Sequence, residues 1–143
     1  MAAARPVRVV IDTNVWISFL IGKRLKSLAP LLADSSVVLV VSDQLIEELL
    51  QVTRRPSLSR YFPKAAVEEL VLLLNEIAEW YSPPATHTFE PDPKDSFLLD
   101  LLVSSHADYF VTGDKALLDL RKIGEAKVLN PAQFEKELRK IRR

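Results

Sequence analysis

The chain has 143 residues, of which 48% are apolar, enough for one core in a single domain over residues 1–143 and too many for a disordered chain. Nineteen Lys plus Arg balance nineteen Asp plus Glu, so the overall charge points neither toward nor away from a polyanionic partner. With no cysteine, no apolar run near the ~20 residues of a membrane span and an amino terminus too short for a signal peptide, the composition excludes disulfides, thiolate zinc sites and cysteine nucleophiles; the expectation is a cytoplasmic protein without a membrane partner.

In chain order, Arg8 to Ile11 reads as a buried strand, because Val9, Val10 and Ile11 are β-branched and pack well on a pleated surface. It ends abruptly in Asp12-Thr13-Asn14, and Asn14 to Ile21, apolar from Val15, then reads as a helix that Gly22 breaks. Leu25 to Ala33 is a second helix, with Leu25, Leu28, Leu31 and Leu32 as its stripe. Val37 to Val41 is a continuous apolar run, the pattern of a parallel strand buried on both faces. Ser42-Asp43 opens a helix that runs to about Thr53, where Arg54-Arg55-Pro56 ends it, since the residue before proline leaves the α region.

Ser57 to Pro63 reads as a linker with a short turn, and Lys64 to about Glu79 as the longest helix. Trp80-Tyr81 is a short strand candidate, followed by a proline-rich loop from Pro83 to Pro93. Asp95 to Ser105 is a helix, Tyr109 to Thr112 a strand, Lys115 to Leu120 a short helix and Lys127 to Leu129 a last strand. Pro131 opens the terminal helix at the position proline favours. About five strands alternating with helices imply right-handed crossovers. The expected fold is α/β: a three-layer, Rossmann-like sandwich around a mostly parallel sheet.

Four acids stand out by position. Asp12 and Asp114 each follow a strand, so a parallel sheet brings both to its carboxyl edge, where open α/β sheets bind ligands. The plain alternative for Asp12 or Thr13 is a helix N-cap. At 100° per residue Glu48 lies beside Leu45 and Val52 at the margin of the apolar stripe, whereas Glu47 faces solvent. By the same test Asp95 falls on the apolar face of its helix and Asp100 with Ser96 and Ser104 on the polar face. Asp95 also suits a helix start through the macrodipole.

Half-buried acids on one edge repel one another, and a hard cation such as Mg²⁺ or Mn²⁺, which prefers oxygen ligands, relieves this. A divalent metal among acids, with no cysteine and no paired histidines, suits phosphodiester hydrolysis or phosphoryl transfer. His87 and His106 have no ligand spacing and receive no role.

Val-Ile-Asp12-Thr13-Asn14-Val, Val-Ser42-Asp-Gln-Leu-Ile-Glu-Glu48-Leu, Asp92-Pro-Lys-Asp95-Ser-Phe-Leu and Ala107-Asp-Tyr-Phe-Val-Thr112-Gly113-Asp114-Lys together resemble the PIN-domain ribonucleases, from about Val7 to Phe134. Each motif alone is common; their order and spacing carry the resemblance. Arg54-Arg55-Pro56-Ser57-Leu58 looks like the subgroup regarded as toxins of toxin–antitoxin pairs (VapC-like).

The resemblance implies Mg²⁺- or Mn²⁺-dependent endonucleolytic cleavage of RNA. It carries the acidic cluster onto Asp12, Glu48, Asp95 and Asp114. Asp12, Asp95 and Asp114 would hold the metal, and Glu48 would complete the pocket. Asn14 and Thr112 match accessory positions that orient carboxylates or waters, Ser42 matches a small polar residue near the site, and strands one and four lie side by side in the family. A homodimer and an antitoxin partner are also implied. Lys94 and Ser96 stand where many relatives place further acids, leaving Asp92 as an outer-shell ligand. Lys23 to Lys26, Arg54, Arg55 and the basic tail from Lys136 would hold the RNA backbone.

Of three alternatives, the first remains open and the other two meet a missing residue. A PIN-fold module that binds RNA or protein without useful catalysis keeps every motif. A haloacid-dehalogenase-like phosphatase needs a second acid where Asn14 stands. A receiver domain lacks its phospho-acceptor after the second strand, where Val41 and Ser42 stand.

Overall fold

The computed structural model describes residues 5–84 and 96–141. The chain runs through β1 (Val7–Ile11), α1 (Thr13–Ile21), α2 (Leu25–Leu32), β2 (Val37–Ser42) and α3 (Asp43–Thr53). A 3-10 turn (Ser59–Tyr61), α4 (Lys64–Ile77), β3 (Ala78–Tyr81) and α5 (Ser96–Ser104) follow. It continues with β4 (Tyr109–Val111), α6 (Lys115–Leu118), β5 (Lys122–Ile123), β6 (Ala126–Leu129) and α7 (Pro131–Ile141). Asp92, Asp95, His87 and most of the proline-rich loop lie outside the described residues.

The strands form one sheet in the order β3-β2-β1-β4-β6-β5. β1 pairs in parallel with β2 and with β4, β2 with β3, and β4 with β6. Val10, Leu39, Val40, Val41, Phe110 and Val111 are at most 1% exposed, as expected of central parallel strands covered on both faces. β1 to β2 and β2 to β3 step one way along the sheet; β3 to β4 steps back across β1. Right-handed crossovers therefore put α1 to α4 on one face and α5 on the other. Side chains agree: Tyr109 reaches Glu137 of α7 at 3.4 Å. Arg8, one residue from the strand partner of Tyr109, donates to the Ser105 carbonyl at the end of α5, 2.7 Å away.

Three local readings change. The described sheet has six strands, not about five. The addition is β5, which pairs antiparallel with β6 across Gly124-Glu125. Gly124 has φ +58°, the left-handed conformation that a two-residue hairpin turn needs at its first position.

The break after α1 is also shifted by one residue. Gly22 itself is right-handed, and Lys23 is the residue that turns left-handed, at φ 54°. Arg24 N–H then bonds the Phe19 carbonyl and Lys23 N–H the Leu20 carbonyl, closing the helix end.

Asp100 is not on a solvated face: it is 4% exposed. Phe97, Leu98, Leu99, Leu101, Leu102 and Val103 make α5 apolar nearly all round, and such a helix is buried on more than one side. Asp100 has an interaction partner in its buried position.

Candidate active site

β1 delivers Asp12 to the point where the sheet reverses direction, between β1 and β4. The Asp12 N–H bonds the Val111 carbonyl at 2.9 Å, so the backbone remains in register with β4 one residue past the strand. Thr112 is tied to β6 in the same way, through its N–H to the Leu129 carbonyl at 2.9 Å. These ties bring the two side chains together: Thr112 Oγ1 donates to Asp12 Oδ2 at 2.8 Å. The Asp114 N–H donates in turn to Thr112 Oγ1 at 3.1 Å. A hydroxyl that receives one bond and gives another has a fixed direction, so Thr112 orients Asp12.

Asp12 occupies the N-cap position of α1 without a side-chain bond of capping geometry, though the Asn14 and Thr13 amides favour its charged form; its carbonyl accepts from Val15 and Trp16. Asp114 does cap, its Oδ1 accepting from Ala116 N–H at 2.9 Å at the start of α6. Capping, expected at Asp12 or Thr13, thus falls to Asp114 at α6, while the Asp12 carboxylate is held by Thr112.

Asp12 is 6% exposed. Burial pushes its carboxyl above the ordinary carboxylate range; the Thr112 hydroxyl and the Asn14 and Thr13 amides pull it down, and the charge of Asp114 pushes it up again. No Lys, Arg or His among the described residues forms an ion pair with either carboxylate. Next to them a cleft of about 300 Å³ is lined by Asn14, Val15, Ser18, Gly113, Asp114 and Pro131.

Ser42 ends β2 and is 5% exposed. Its hydroxyl accepts from Leu45 N–H at 3.2 Å and caps α3. Continuing the β1–β2 register puts Ser42 level with Asp12 at the carboxyl edge. Glu48 is half-buried on α3, Glu47 is exposed, and Glu48 has an interaction partner. Asn14 is exposed at the mouth of the cleft. Of the expected residues, then, Asp12, Thr112 and Asp114 form one hydrogen-bonded group with Asn14 beside it. Asp95 and Asp92 lie outside the described residues, and no three Asp, Glu or His side chains among those described form a metal-holding group.

Two features had no sequence signal strong enough to single them out. Thr13 Oγ1 is buried and has no hydrogen-bond partner among the described residues, an orphan hydroxyl adjacent to Asp12. The buried Asp100 is the other, masked by a helix with too little polarity to define a face. The donors at the edge are all hard oxygens, from Asp12, Asp114, Thr112, Thr13 and Asn14. They include two carboxylates with no ion pair among the described residues, a donor set of the type that hard divalent cations take.

A PIN domain family model matches residues 8–116. A solved structure titled "Structure of the PIN domain endonuclease Utp24" superposes with a TM-score of 0.52 at 24% identity, covering 87% of this chain and 85% of that one. No curated protein matches in sequence. With the family model spanning β1 through the start of α6, every described strand-end acid included, the chain belongs to the PIN domain family.

Proposed function

We propose that the chain is a Mg²⁺- or Mn²⁺-dependent endoribonuclease whose site is built on Asp12 and Asp114, with Asp95 as the third ligand, Glu48 at the pocket wall and Asp92 in the outer shell. The observation that carries this reading is the relay from Asp114 N–H through Thr112 to Asp12, which fixes a buried carboxylate, without an ion pair among the described residues, at the sheet's switch point. Family membership and the likeness to a structure titled as an endonuclease support it.

When bound, the cation supplies Lewis acidity: it polarises a phosphoryl oxygen, acidifies water and offsets charge that develops on phosphate. Asp12 and Asp114 hold it. Thr112 keeps Asp12 in one orientation, and the Ala116 amide does the same for Asp114. Asn14 and Ser18, on the cleft wall, offer hydrogen bonds to the substrate. The wider biological reading is part of the same proposal: a cytoplasmic homodimer acting as the toxin of a toxin–antitoxin pair, restrained by an antitoxin.

The test is cleavage of single-stranded RNA by the purified chain with Mn²⁺, beside the same reaction in chelator and beside Asp12→Asn. Cleavage only with metal and only by the parent is expected. Equal cleavage by Asp12→Asn defeats the assignment. A second reading, a PIN module that binds without cleaving, draws on the absence of a third converging acid among the described residues. RNA binding without cleavage and without Mn²⁺ binding favours it.

A further inference from the structure

β3 is the edge strand beside β2 and brings Trp80 level with Val41. This is the carboxyl edge that carries Asp12, about 10 Å away along the sheet at the usual strand spacing. Trp80 is 41% exposed, although a tryptophan has more apolar surface to lose than any other side chain. Two other aromatics each carry a cation on the ring, although Tyr61 is itself 44% exposed. Arg60 lies over the Tyr61 ring at 4.8 Å, and Arg8 over the Tyr81 ring at 5.5 Å. Trp80 has no ring partner, cation or hydrogen bond among the described residues.

The ring borders a hollow of about 360 Å³ that runs along α3. Ile46 and Leu50 give it an apolar lining. Asp43, Glu47, Gln51 and Arg54 face it at helical intervals, so acceptors crowd one end and a cation stands at the other. Arg54 and Leu50 also line the adjoining groove, where Lys64 adds a second cation.

We propose that this hollow is a nucleobase subsite for single-stranded RNA, with a base stacked on Trp80 and its phosphate at Arg54. The proposal rests on the nuclease reading above and names how that site holds its substrate. Stacking of an unpaired base on an aromatic ring, with a cation following the backbone, is the common mode of single-strand recognition. The volume takes a base and its ribose. The polarity selects which base: Asp43 and Glu47 accept hydrogen bonds, so cytosine, adenine and guanine, with amino donors, suit the hollow, and uracil, with carbonyls on both sides of its one N–H, does not.

The experiment uses the full chain carrying Asp12→Asn, so that RNA stays intact, and measures anisotropy of labelled eight-nucleotide oligocytidylate, oligoadenylate and oligouridylate. Trp80→Ala is expected to weaken oligocytidylate binding about 5- to 100-fold and Trp80→Phe to restore most of it. Oligouridylate binds less tightly than the other two, and Glu47→Gln narrows that difference. Binding by Trp80→Ala equal to its parent overturns the subsite and leaves the nuclease reading intact if the native chain still cleaves RNA. No binding of any RNA, with no cleavage, overturns both. Unchanged RNA binding with loss of a dimer in light scattering on Trp80→Ala overturns it too, and gives the ring to a protein contact.

Discussion

Asp12 is costly to the fold it sits in. Its carboxyl titrates above the ordinary range because it is buried beside Asp114, so the folded chain holds that proton more tightly than the unfolded chain does. Stability tied to this group therefore falls as pH rises from the unfolded value through the raised folded one. Asp12→Asn removes the charge and keeps an acceptor for Thr112. It is expected to raise the melting temperature at neutral pH by about 2–5 °C, the size of a 1 kcal/mol gain in a chain of this length, while abolishing RNA cleavage. The gain shrinks as pH is lowered through the Asp12 titration, which scanning calorimetry across pH reads directly. Saturating Mn²⁺ reverses the order by stabilising the parent alone. Thr112→Val leaves both Asp12 Oδ2 and the Asp114 amide without their hydroxyl partner. It is expected to cost about 1–3 kcal/mol in denaturant unfolding and to weaken Mn²⁺ binding, with Thr112→Ser recovering both.

At the level of elements, periodicity separates the exposed Glu47 from the half-buried Glu48 because α3 has a polar face against which the stripe can be read. It misplaces Asp100 because α5 has almost none: a 100° wheel drawn on a nearly all-apolar helix names a polar side that the fold still covers. β5 escapes for a different reason. Two residues carry no alternation, and its one legible mark is Gly124 between Ile123 and Ala126, a two-residue hairpin signal. The α1 terminus shows a third kind of gap, since composition points to glycine while the backbone turns left-handed at Lys23. Lys23→Gly is accordingly expected to stabilise the chain by about 1 kcal/mol in chemical denaturation, by relieving a non-glycine left-handed residue. Ser42→Ala removes the α3 cap and is expected to cost about 1 kcal/mol.

Across the whole molecule, the site is a consequence of strand order. Because β1 lies between β2 and β4, the chain end of each strand-end acid reaches the same crevice from elements a hundred residues apart. The acids after β1 and β4, and the α/β alternation, were legible because buried strands, even short ones, write themselves as apolar runs. Their meeting at one edge, and an orienting role for Thr112 by resemblance, were expected, but the Asp12–Thr112 bond and the Asp114 amide behind it were not, since such a bond leaves no local pattern. α7 closes this assembly at the other side of β6, with Phe134 fully buried and Glu135 paired to Arg24 at 2.8 Å. Phe134→Ala is expected to cost about 3–5 kcal/mol in urea unfolding, and to leave Mn²⁺ affinity unchanged at temperatures where the variant is folded.

The central claim is that Asp12 and Asp114 together hold a divalent cation. Calorimetric titration of Mn²⁺ into the parent, Asp12→Asn and Asp114→Asn measures it directly, and Asp114→Asn retains an oxygen to cap α6, so lost binding cannot be assigned to a lost cap. The account predicts binding by the parent and at least a tenfold loss in each variant. Parental affinity in both variants would contradict it.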